Sequence, residues 1–515
     1  MMKETVKKAL EHYFSYREFR PGQREIIEYA LRGESVLGIL ATGGGKSLCY
    51  QLPALLFPYM TVVVSPLISL MADQVRQLRS KGIGGIEYIN SALAPEEYKW
   101  KMKKLRDRKI KILYVSPEKL QQDSFMQQLA GIPVSLFVVD EAHCISQWGH
   151  DFRTDYQRLK DCIHRLGDPP VMALTATATS DVQKDICLQL GVPAAHTVKH
   201  SLNRSNICYD VQFVGDKKEK DEVLLYKLGS LQGPGLVYFR SRNGAERACA
   251  LAEQAGISCA YYHGGMPASD RLLVQQQFLN GEITLVFATN AFGMGIDKSD
   301  IRFVIHYHLP TDMESYLQEV GRVGRDGAPG YTCLLYMPED MALPRQLIAE
   351  EYPDITQTRD FVHYIAGHQG NISTVQSIAA LEEWGLNELH LGILLYHMEK
   401  GGWIRSLERT KDGWTFGVAD RISGNYQNLF DIMMKRRELR YGRLKEMERW
   451  IESRTCRRRQ IGDYFSQSHS GSLASCCDRC GIDYSLYEVQ PASAIPHTDQ
   501  AVWDWERELD RLLPL

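Results

Sequence analysis

Short apolar β-rich runs alternate with helical segments over about the first 345 residues of the chain. This alternation is typical of parallel sheets whose strands are joined by crossover helices. Two series of strand candidates are present, and each is sufficient for one doubly wound domain. The first comprises SVLGIL, TVVVSP, KILYVSP, SLFVVDE and VMALTAT, and the second comprises GLVYF, CAYYH, LVFAT, FVIHYHL and TCLLYM. The sequence therefore predicts two tandem α/β domains that meet near residues 200–206.

The pattern changes after about residue 350. Residues 356–400 are predicted to be helical, and the Asp412-Gly413 turn between two β-like arms predicts a hairpin. Helices followed by a hairpin favour a winged helix, and a helical scaffold with a β-arm is the alternative. Residues 425–454 predict a long basic helix. The expected divisions are two α/β domains at 1–203 and 204–345, a helical and possibly winged-helix domain at 346–424, the long helix with a cysteine-rich subdomain at 425–488, and a tail with a short helix at 489–515.

Composition restricts the partners of the chain less than its motifs do. The formal net charge is −3, so any nucleic-acid binding must use local basic surfaces rather than a global field. No apolar run approaches the ~18 residues that span a bilayer, and the amphipathic start MMKETVKKALEHYF lacks the features of a signal peptide. We therefore expect a cytoplasmic protein that makes no membrane contact.

A glycine-rich segment, ILATGGGKS at 39–47, lies between a strand candidate and a helix predicted to begin at Ser47. Successive backbone N–H groups and a helix N-terminus can cradle phosphates in this setting. Lys46 would supply charge to the outer phosphates, and the Ser47 hydroxyl would bind Mg²⁺. The segment departs from the general G-x-x-x-x-G-K-S form at Leu40, and the alternative is a plain glycine-rich turn.

A second motif, SLFVVDEAH at 135–143, strengthens the nucleotide-site prediction. Its apolar strand delivers Asp140 and Glu141 to the carboxyl end of a sheet, where α/β folds bind ligands. Asp140 would hold Mg²⁺, and Glu141 would orient or deprotonate the attacking water. The alternative is a pair of acids that cap the next helix.

Several longer strings resemble one family. DEAH at 140–143 with TAT at 175–177 resembles the superfamily 2 helicases, and DEAHCISQWGHDFRTDY at 140–156 is similar to the RecQ family of DNA helicases. Further similar blocks are FRPGQ, TGGGKSLCYQLP, VVVSPLISLMADQ, TNAFGMGIDK and QEVGRVGRDG. The resemblance covers residues 10–345 and the cysteine region, and it is greatest to short bacterial members without the terminal HRDC domain. It implies two RecA-like domains followed by a zinc-binding subdomain.

The resemblance also assigns roles at the nucleotide site. Adenine recognition falls to Tyr16, Arg20 and Gln23, which have the family spacing Y-x3-R-x2-Q. Arg325 matches the arginine finger of the second domain, and Arg322 is expected at the γ-phosphate. The implied phosphate-loop residues are Thr42, Gly43, Gly44, Gly45, Lys46 and Ser47.

The segment that follows the DEAH motif is the implied DNA sensor. Trp148 and Phe152 would stack bases, Arg153 would contact DNA, and His150 would relay between DNA and the ATP site. The alternative is that both aromatic residues belong to the core. Backbone contacts with DNA are also implied at Ser65, Ser241 and Arg242, although serine and arginine at strand ends often serve as simple caps.

Four of the twelve cysteines crowd into one stretch, Cys456, Cys476, Cys477 and Cys480. Four thiolates can enclose a tetrahedral Zn²⁺, and C-C-x-x-C also occurs at the zinc site of some RecQ members. His469 is the substitute ligand if Cys476 points away. Reduced buried cysteines are the alternative.

The most basic stretches, at 435–450 and 456–459, are candidate contacts for duplex phosphates or merely solvated faces.

The resulting prediction is an ATP-dependent DNA helicase with DNA-stimulated hydrolysis and 3′-to-5′ movement, acting in repair or recombination. A DEAH-type RNA helicase and a DNA-annealing scaffold with weak ATPase are the alternatives. The expected cofactors are ATP, Mg²⁺ and Zn²⁺, and the expected partners are single-stranded DNA, duplex junctions, and possibly single-strand-binding and recombination proteins. We expect a monomer associated with the nucleoid.

The family's usual winged helix after the zinc module does not fit here, so a winged helix at 346–424 would be relocated.

Overall fold

The computed structural model describes residues 2–90, 93–146, 153–290, 292, 298–410, 412–421, 426–467 and 475–489. Within them lie two parallel sheets and a three-stranded antiparallel sheet, which confirms the predicted α/β class. Among these residues, no helix combines the length and apolar character needed to cross a bilayer.

The first domain is built on seven parallel strands in the order β3-β4-β2-β5-β6-β1-β7. Its strands are β1 Val36–Ile39, β2 Met60–Val64, β3 Ile86–Ile89, β4 Ile112–Val115, β5 Val134–Val139, β6 Val171–Thr175 and β7 Thr197–Lys199. Its helices are α1 Met2–Phe14, α2 Gln23–Leu31, α3 Lys46–Leu56, α4 Ile68–Ser80, α5 Pro95–Arg106, α6 Pro117–Leu120, α7 Asp123–Ala130, α8 Leu159–Arg165 and α9 Ser180–Leu190. The central strands are buried on both faces, as their continuous apolar runs require.

The second domain has six parallel strands in the order β10-β11-β9-β12-β13-β8. Its strands are β8 Ile207–Phe213, β9 Gly235–Tyr238, β10 Ala260–Tyr262, β11 Leu285–Ala288, β12 Phe303–His306 and β13 Gly330–Tyr336. Its helices are α10 Lys217–Ser230, α11 Arg242–Gln254, α12 Ala268–Asn280 and α13 Met313–Val320. The predicted division at 203/204 falls between β7 of the first sheet and β8 of the second.

A smaller domain follows, with a helix–helix–strand–helix–helix–hairpin order. Its elements are α14 Ala342–Glu350, α15 Ile355–Ala366, β14 Ile372–Gln376, α16 Ser377–Trp384, α17 Glu388–Lys400, β15 Ile404–Arg409 and β16 Gly413–Val418. The predicted hairpin is confirmed, since β15 and β16 pair in antiparallel fashion. The prediction that 356–400 is entirely helical is wrong, because β14 interrupts it. In ISTVQ the side chains of Ser373 and Val375 point inward, and the strand pairs with β16.

The predicted long helix is confirmed as α18 Tyr426–Glu452, followed by α19 Arg457–Tyr464. Leu429 and Met433, at its start, pack in the core of the small domain. Leu444 and Trp450, near its end, pack in the core of the second α/β domain. An α-helix rises about 1.5 Å per residue, so α18 is long enough to connect the core of the small domain with the core of the second α/β domain.

The small domain also contacts the first domain. Arg158 forms an ion pair with Glu399 and donates a hydrogen bond to the Leu407 carbonyl on β15, at 2.8 Å. Tyr396 donates to Gln157 Oε1 at 2.9 Å. The small domain is therefore anchored immediately after the segment predicted to sense DNA.

Candidate ATP site, DNA-sensing segment and zinc site

The topology brings three strand ends together at one edge of the first sheet. Strands β5 and β1 lie on either side of β6, so the segments that follow these three strands converge. They carry Glu141, Lys46 and Thr175. The Lys46 Nζ lies 3.7 Å from the Glu141 Oε1, so the two predicted catalytic groups face each other.

The phosphate loop has the backbone of an anion cradle. Gly43 and Gly45 have φ values of +81° and +77°, a conformation that favours glycine. Gly45 immediately precedes α3, which begins at Lys46 rather than at the predicted Ser47. The Gly44 N–H is used within the loop, where it donates to the Ala41 carbonyl at 2.8 Å, so the N-terminus of α3 is the main source of donors for phosphate oxygens.

The residues expected to recognise adenine are placed against this loop. Gln23 is buried, and its Nε2 donates to the carbonyl oxygens of Gly44 and Gly45 at 3.1 and 3.0 Å. Arg20 donates to the Gly43 carbonyl. Tyr16 is 51% exposed at the mouth of the same cleft, and the Lys81 ammonium lies 5.5 Å from the centre of its ring. The cleft has a volume of about 520 Å³, which is appropriate for a nucleotide.

Asp140 and Glu141 are held in an unusual environment. Burial, followed by repulsion from Glu141, raises the pKa of Asp140 to about 7. Glu141 has a φ of +48°, which turns its side chain back toward Lys46. The buried His143 has its Nδ1 2.9 Å from the Thr175 hydroxyl and 3.4 Å from Glu141 Oε2. The DEAH and TAT motifs are thus joined by direct contacts, which the sequence did not show.

The second domain completes the cleft. Arg322 and Arg325, from the segment after α13, line it together with Lys46, Asp140 and Glu141. Glu319, one turn before Arg322, lies 2.8 Å from His306 and 3.6 Å from Arg240. Burial raises the pKa of Glu319, but Arg240, His306 and Arg322 outweigh that effect and hold it below its usual value. The Glu319 carboxylate is therefore a stable anion beside the segment that carries Arg322 and Arg325, which we call the arginine loop.

One residue at this cleft was missed by sequence reasoning. Arg204, between β7 and β8, donates to the Thr42 carbonyl at 3.2 Å and to the Gly324 carbonyl at 2.5 Å. It therefore touches the phosphate loop and the arginine loop at once. Its partners are backbone oxygens distant in sequence, so no motif marks it.

The predicted DNA contacts are only partly described. Trp148, His150 and Phe152 lie outside the described residues. Arg153 donates its backbone N–H to the Cys144 carbonyl at 3.0 Å, and its side chain lies 3.4 Å from the Pro66 carbonyl. Tyr156 donates to the Asp140 carbonyl at 3.1 Å. The described part of the segment is thus bonded to the backbone of Asp140 through Tyr156.

The strand-end residues differ from one another in their surroundings. Ser65 is buried at the end of β2. Ser241 accepts a hydrogen bond from the Gly244 N–H at 3.1 Å and so caps α11. Arg242 is exposed at the start of that helix. The capping role that was the alternative for Ser241 is present, and DNA contact at all three positions stays a prediction.

The four clustered cysteines meet in space. Their sulfurs all lie within 4.8 Å of one another, and those of Cys456 and Cys476 are 3.7 Å apart. Zinc–thiolate bonds of about 2.3 Å in a tetrahedron put the sulfurs roughly 3.8 Å apart. A hydrogen bond from Cys476, aided by backbone N–H groups, lowers the pKa of Cys477, which favours the thiolate form that binds zinc. The cluster fits Zn²⁺ with Cys476 facing inward, and the substitute His469 lies outside the described residues.

Three arginines of the two basic stretches are buried, so the suggestion of contact with duplex phosphates is wrong for them, whereas for exposed members such as Lys445 and Arg459 it stays a prediction. Arg457 is fully buried, and its Nε and Nη2 each lie 2.9 Å from the Asp478 carboxylate. Arg458 and Arg436 are also buried. These three side chains lie inside the protein and therefore do not form a DNA-binding surface.

The cysteine segment also covers an open sheet edge. The Tyr209 N–H, on the edge strand β8, donates to the Cys476 carbonyl at 3.2 Å. The Asp478 N–H donates to the Tyr209 carbonyl at 3.1 Å. The zinc subdomain is therefore built onto the second α/β domain.

Three family models match the chain. They are DEAD/DEAH box helicase over residues 20–186, helicase conserved C-terminal domain over 219–327, and RecQ zinc-binding over 422–481. Together they cover both α/β domains and the cysteine cluster.

Curated relatives agree with these matches. The chain is 36% identical to the probable ATP-dependent DNA helicase RecS of Bacillus subtilis, over 99% of this chain and 98% of that protein. It is 41% identical to the ATP-dependent DNA helicase RecQ of Haemophilus influenzae over 74% of its length, and 43% identical to that of Bacillus subtilis over 70%. It spans 62% and 61% of those two longer proteins.

Solved structures share the fold at low sequence identity. The helicase MrfA bound to DNA has a TM-score of 0.55 at 19% identity, covering 82% of this chain and 60% of MrfA. Saccharomyces cerevisiae Dbp5 bound to RNA and ADP BeF3 also scores 0.55, at 17% identity, covering 66% of this chain and 90% of Dbp5. The shared architecture thus occurs with either nucleic acid, and the fold alone does not choose between them.

Proposed function

The chain belongs to the RecQ family of ATP-dependent DNA helicases, and we propose that it hydrolyses ATP to move 3′ to 5′ along single-stranded DNA and unwind duplexes. The observation that carries this proposal is the cleft itself. Lys46 and Glu141 face Arg322 and Arg325 across it, one pair from each α/β domain. Such a site is complete only when the two domains approach each other, which links hydrolysis to domain movement.

Roles within the cleft follow from chemistry and placement. The loop amides from Gly43 to Ser47 and the Lys46 ammonium bind phosphate oxygens. Glu141 orients and deprotonates the attacking water, and Arg325 stabilises charge on the transferring phosphoryl group, with Arg322 at the γ-phosphate. Tyr16, Arg20 and Gln23 hold the base.

Magnesium fits the donors at this site. Ser47 supplies a hydroxyl and Asp140 a buried carboxylate, whose pKa is raised by burial and by the neighbouring Glu141. When bound, Mg²⁺ neutralises phosphate charge. The chain's own contribution is to keep both ligands at the sheet edge beside Lys46.

Communication with DNA runs through the segment at 144–156. Tyr156 bonds the Asp140 carbonyl, and Arg153 bonds the Cys144 carbonyl, so a shift of this segment moves the catalytic acids. Trp148 and Phe152 stack bases and Arg153 contacts the DNA strand. His150 links bound DNA to the ATP site. Ser65, Ser241 and Arg242 contact the DNA backbone on the same rim.

DNA rather than RNA is favoured by the zinc subdomain and by the family of the relatives. The complete set of predicted catalytic residues in the cleft argues against a DNA-annealing scaffold with weak ATPase. We also propose a monomer that acts in repair or recombination at single strands and duplex junctions, with single-strand-binding and recombination proteins as partners. Its proposed location is the cytoplasm, on the nucleoid.

Strand displacement on tailed duplexes tests the proposal. A DNA duplex with a 3′ single-stranded tail should be unwound in the presence of ATP and Mg²⁺, and one with a 5′ tail should not. Trp148→Ala should retain ATP binding and lose both unwinding and DNA stimulation. Unwinding of the 5′-tailed duplex alone would overturn the direction, and unwinding of RNA duplexes alone would favour the RNA alternative.

A further inference from the structure

Arg204 bridges the two sides of the ATP cleft. Its Nη1 donates to the carbonyl oxygens of Thr42 and Gly321 at 3.2 and 3.3 Å. Its Nη2 donates to those of Val323 and Gly324 at 3.0 and 2.5 Å. Thr42 belongs to the phosphate loop, and the other three belong to the loop that carries Arg322 and Arg325. One guanidinium thus fixes the spacing between these loops.

The contact depends on the shape of the side chain. A guanidinium presents five N–H donors in a rigid fork, whereas a lysine ammonium is a point charge on a flexible stem. The two terminal nitrogens of the fork reach four carbonyl oxygens on the two loops, whereas the three donors of a lysine all radiate from one nitrogen. The Arg204 side chain is partly buried between the two loops, and this burial, the largest influence, lowers its pKa.

The backbone around Arg204 is held by the zinc subdomain. Arg458 is buried, and its Nη1 donates to Asn203 Oδ1 at 2.5 Å and to the Arg204 carbonyl at 2.7 Å. Its Nη2 donates to the Ile207 carbonyl. Its Nε lies 3.3 Å from the Cys476 sulfur, which belongs to the zinc cluster. A continuous chain of polar contacts therefore runs from a zinc ligand to the phosphate loop.

We propose that Arg204 is a positioning residue for ATP hydrolysis, which sets the arginine loop against the phosphate loop, and that Arg458 fixes Arg204 from the zinc subdomain. This proposal rests on the ATPase function proposed above. Arg204 touches neighbouring carbonyls and not the phosphates, so it acts through Arg322 and Arg325. The zinc subdomain then contributes to the geometry of the ATP site as well as to folding.

The first test separates positioning from binding. Arg204→Ala and Arg204→Lys should lower kcat for DNA-stimulated hydrolysis by roughly 10- to 100-fold, with KM for ATP changed less than about threefold. Arg247→Ala is the matched control, because that arginine makes two hydrogen bonds to Asp221, at 2.8 and 3.0 Å, away from the cleft. An Arg204→Lys protein with wild-type kcat would overturn the proposal.

The second test asks whether Arg204 acts through the finger. In an Arg325→Ala background, adding Arg204→Ala should lower kcat by less than about twofold, because the loop that it positions is already ineffective. If the double variant instead loses kcat by the product of the two single-variant effects, Arg204 acts independently of Arg325. That result would contradict the proposal.

The third test concerns the zinc side. Arg458→Gln should lower kcat to the level of Arg204→Ala, add nothing to that variant, and retain its zinc as measured by metal release with a colorimetric chelator. Retained zinc with wild-type kcat would refute the link. A wild-type chain without DNA-stimulated ATPase would instead defeat the proposed function, so the two failures are distinguishable.

Discussion

The Lys46 ammonium lies 3.7 Å from the Glu141 carboxylate, and both side chains are about 15% exposed within the cleft. This placement puts the acid where a nucleophilic water would meet the outer phosphate. Glu141→Gln should therefore lower kcat by at least ~100-fold while ATP binding is kept or improved, since one negative charge near the phosphates is removed. Hydrolysis rates and fluorescent-nucleotide binding measure the two effects. Glu96→Gln on the exposed face of α5 is the control, and equal loss in both variants would contradict the role.

Asp140 makes stability depend on pH. Its pKa is about 7 in the folded chain against an ordinary 3.8, so this carboxyl favours folding below about pH 4 and loses that contribution as pH rises through 7. Asp140→Asn carries no such group. Its melting temperature should therefore rise relative to wild type between pH 5 and pH 8 without added magnesium, reflecting at most about 1.4 kcal/mol per pH unit.

Magnesium provides the control for this prediction. The cation compensates the buried charge, so adding Mg²⁺ should raise the melting temperature of the wild type and narrow the difference at pH 8. A difference that stays constant across the pH range would show that Asp140 is not perturbed.

Arg325 lies across the cleft from the phosphate loop, against Gly43. A Cβ atom on Gly43 would come within 3.0 Å of the Arg325 side chain, so the two loops are already in contact. Arg325→Ala should lower kcat by ~10³-fold with little change in ATP affinity. Single-turnover hydrolysis is the measurement, and Arg165→Ala, on the surface of the first domain, is the control. A loss confined to ATP affinity would argue against a finger.

Cys480 is the exposed member of the zinc cluster. Cys480→Ala should lower the zinc content below one per chain and the free energy of unfolding by more than about 3 kcal/mol, because the subdomain covers the β8 edge. Metal analysis and chemical denaturation provide the measurements. Cys187→Ala, on α9, should retain zinc. A Cys480→Ala protein with full zinc and wild-type melting would remove this cysteine from the ligand set.

The sequence predicted the parts of the fold that depend on local pattern. Apolar runs marked the central strands, but four of the described strands were missed, one of them β14, which lies where a helix was predicted. β3 and β7 are short strands at the sheet edges. β8 contains Asp210, and a polar residue at this position does not favour the prediction of a buried strand. In the structure Asp210 is buried beside Lys227, at 3.5 Å, and accepts from Tyr331. Such compensation by distant residues leaves no local signal.

The same distinction applies to the site. Lys46, Asp140 and Glu141 are recognisable because their motifs follow strands. Arg204 is not, because its partner Thr42 is 162 residues away and offers only a backbone oxygen. Arg457 and Arg458 resembled a solvated basic patch, and only packing revealed that they are internal.

The rate of ATP hydrolysis, measured with no polymer, with single-stranded DNA and with RNA, tests the central claim most directly. For the wild type, DNA should stimulate hydrolysis many-fold and RNA should not, and Lys46→Ala should abolish the activity under all three conditions. Stimulation by RNA alone, or an undiminished rate in Lys46→Ala, would contradict the account of this chain as a DNA-driven motor powered from the Lys46 and Glu141 cleft.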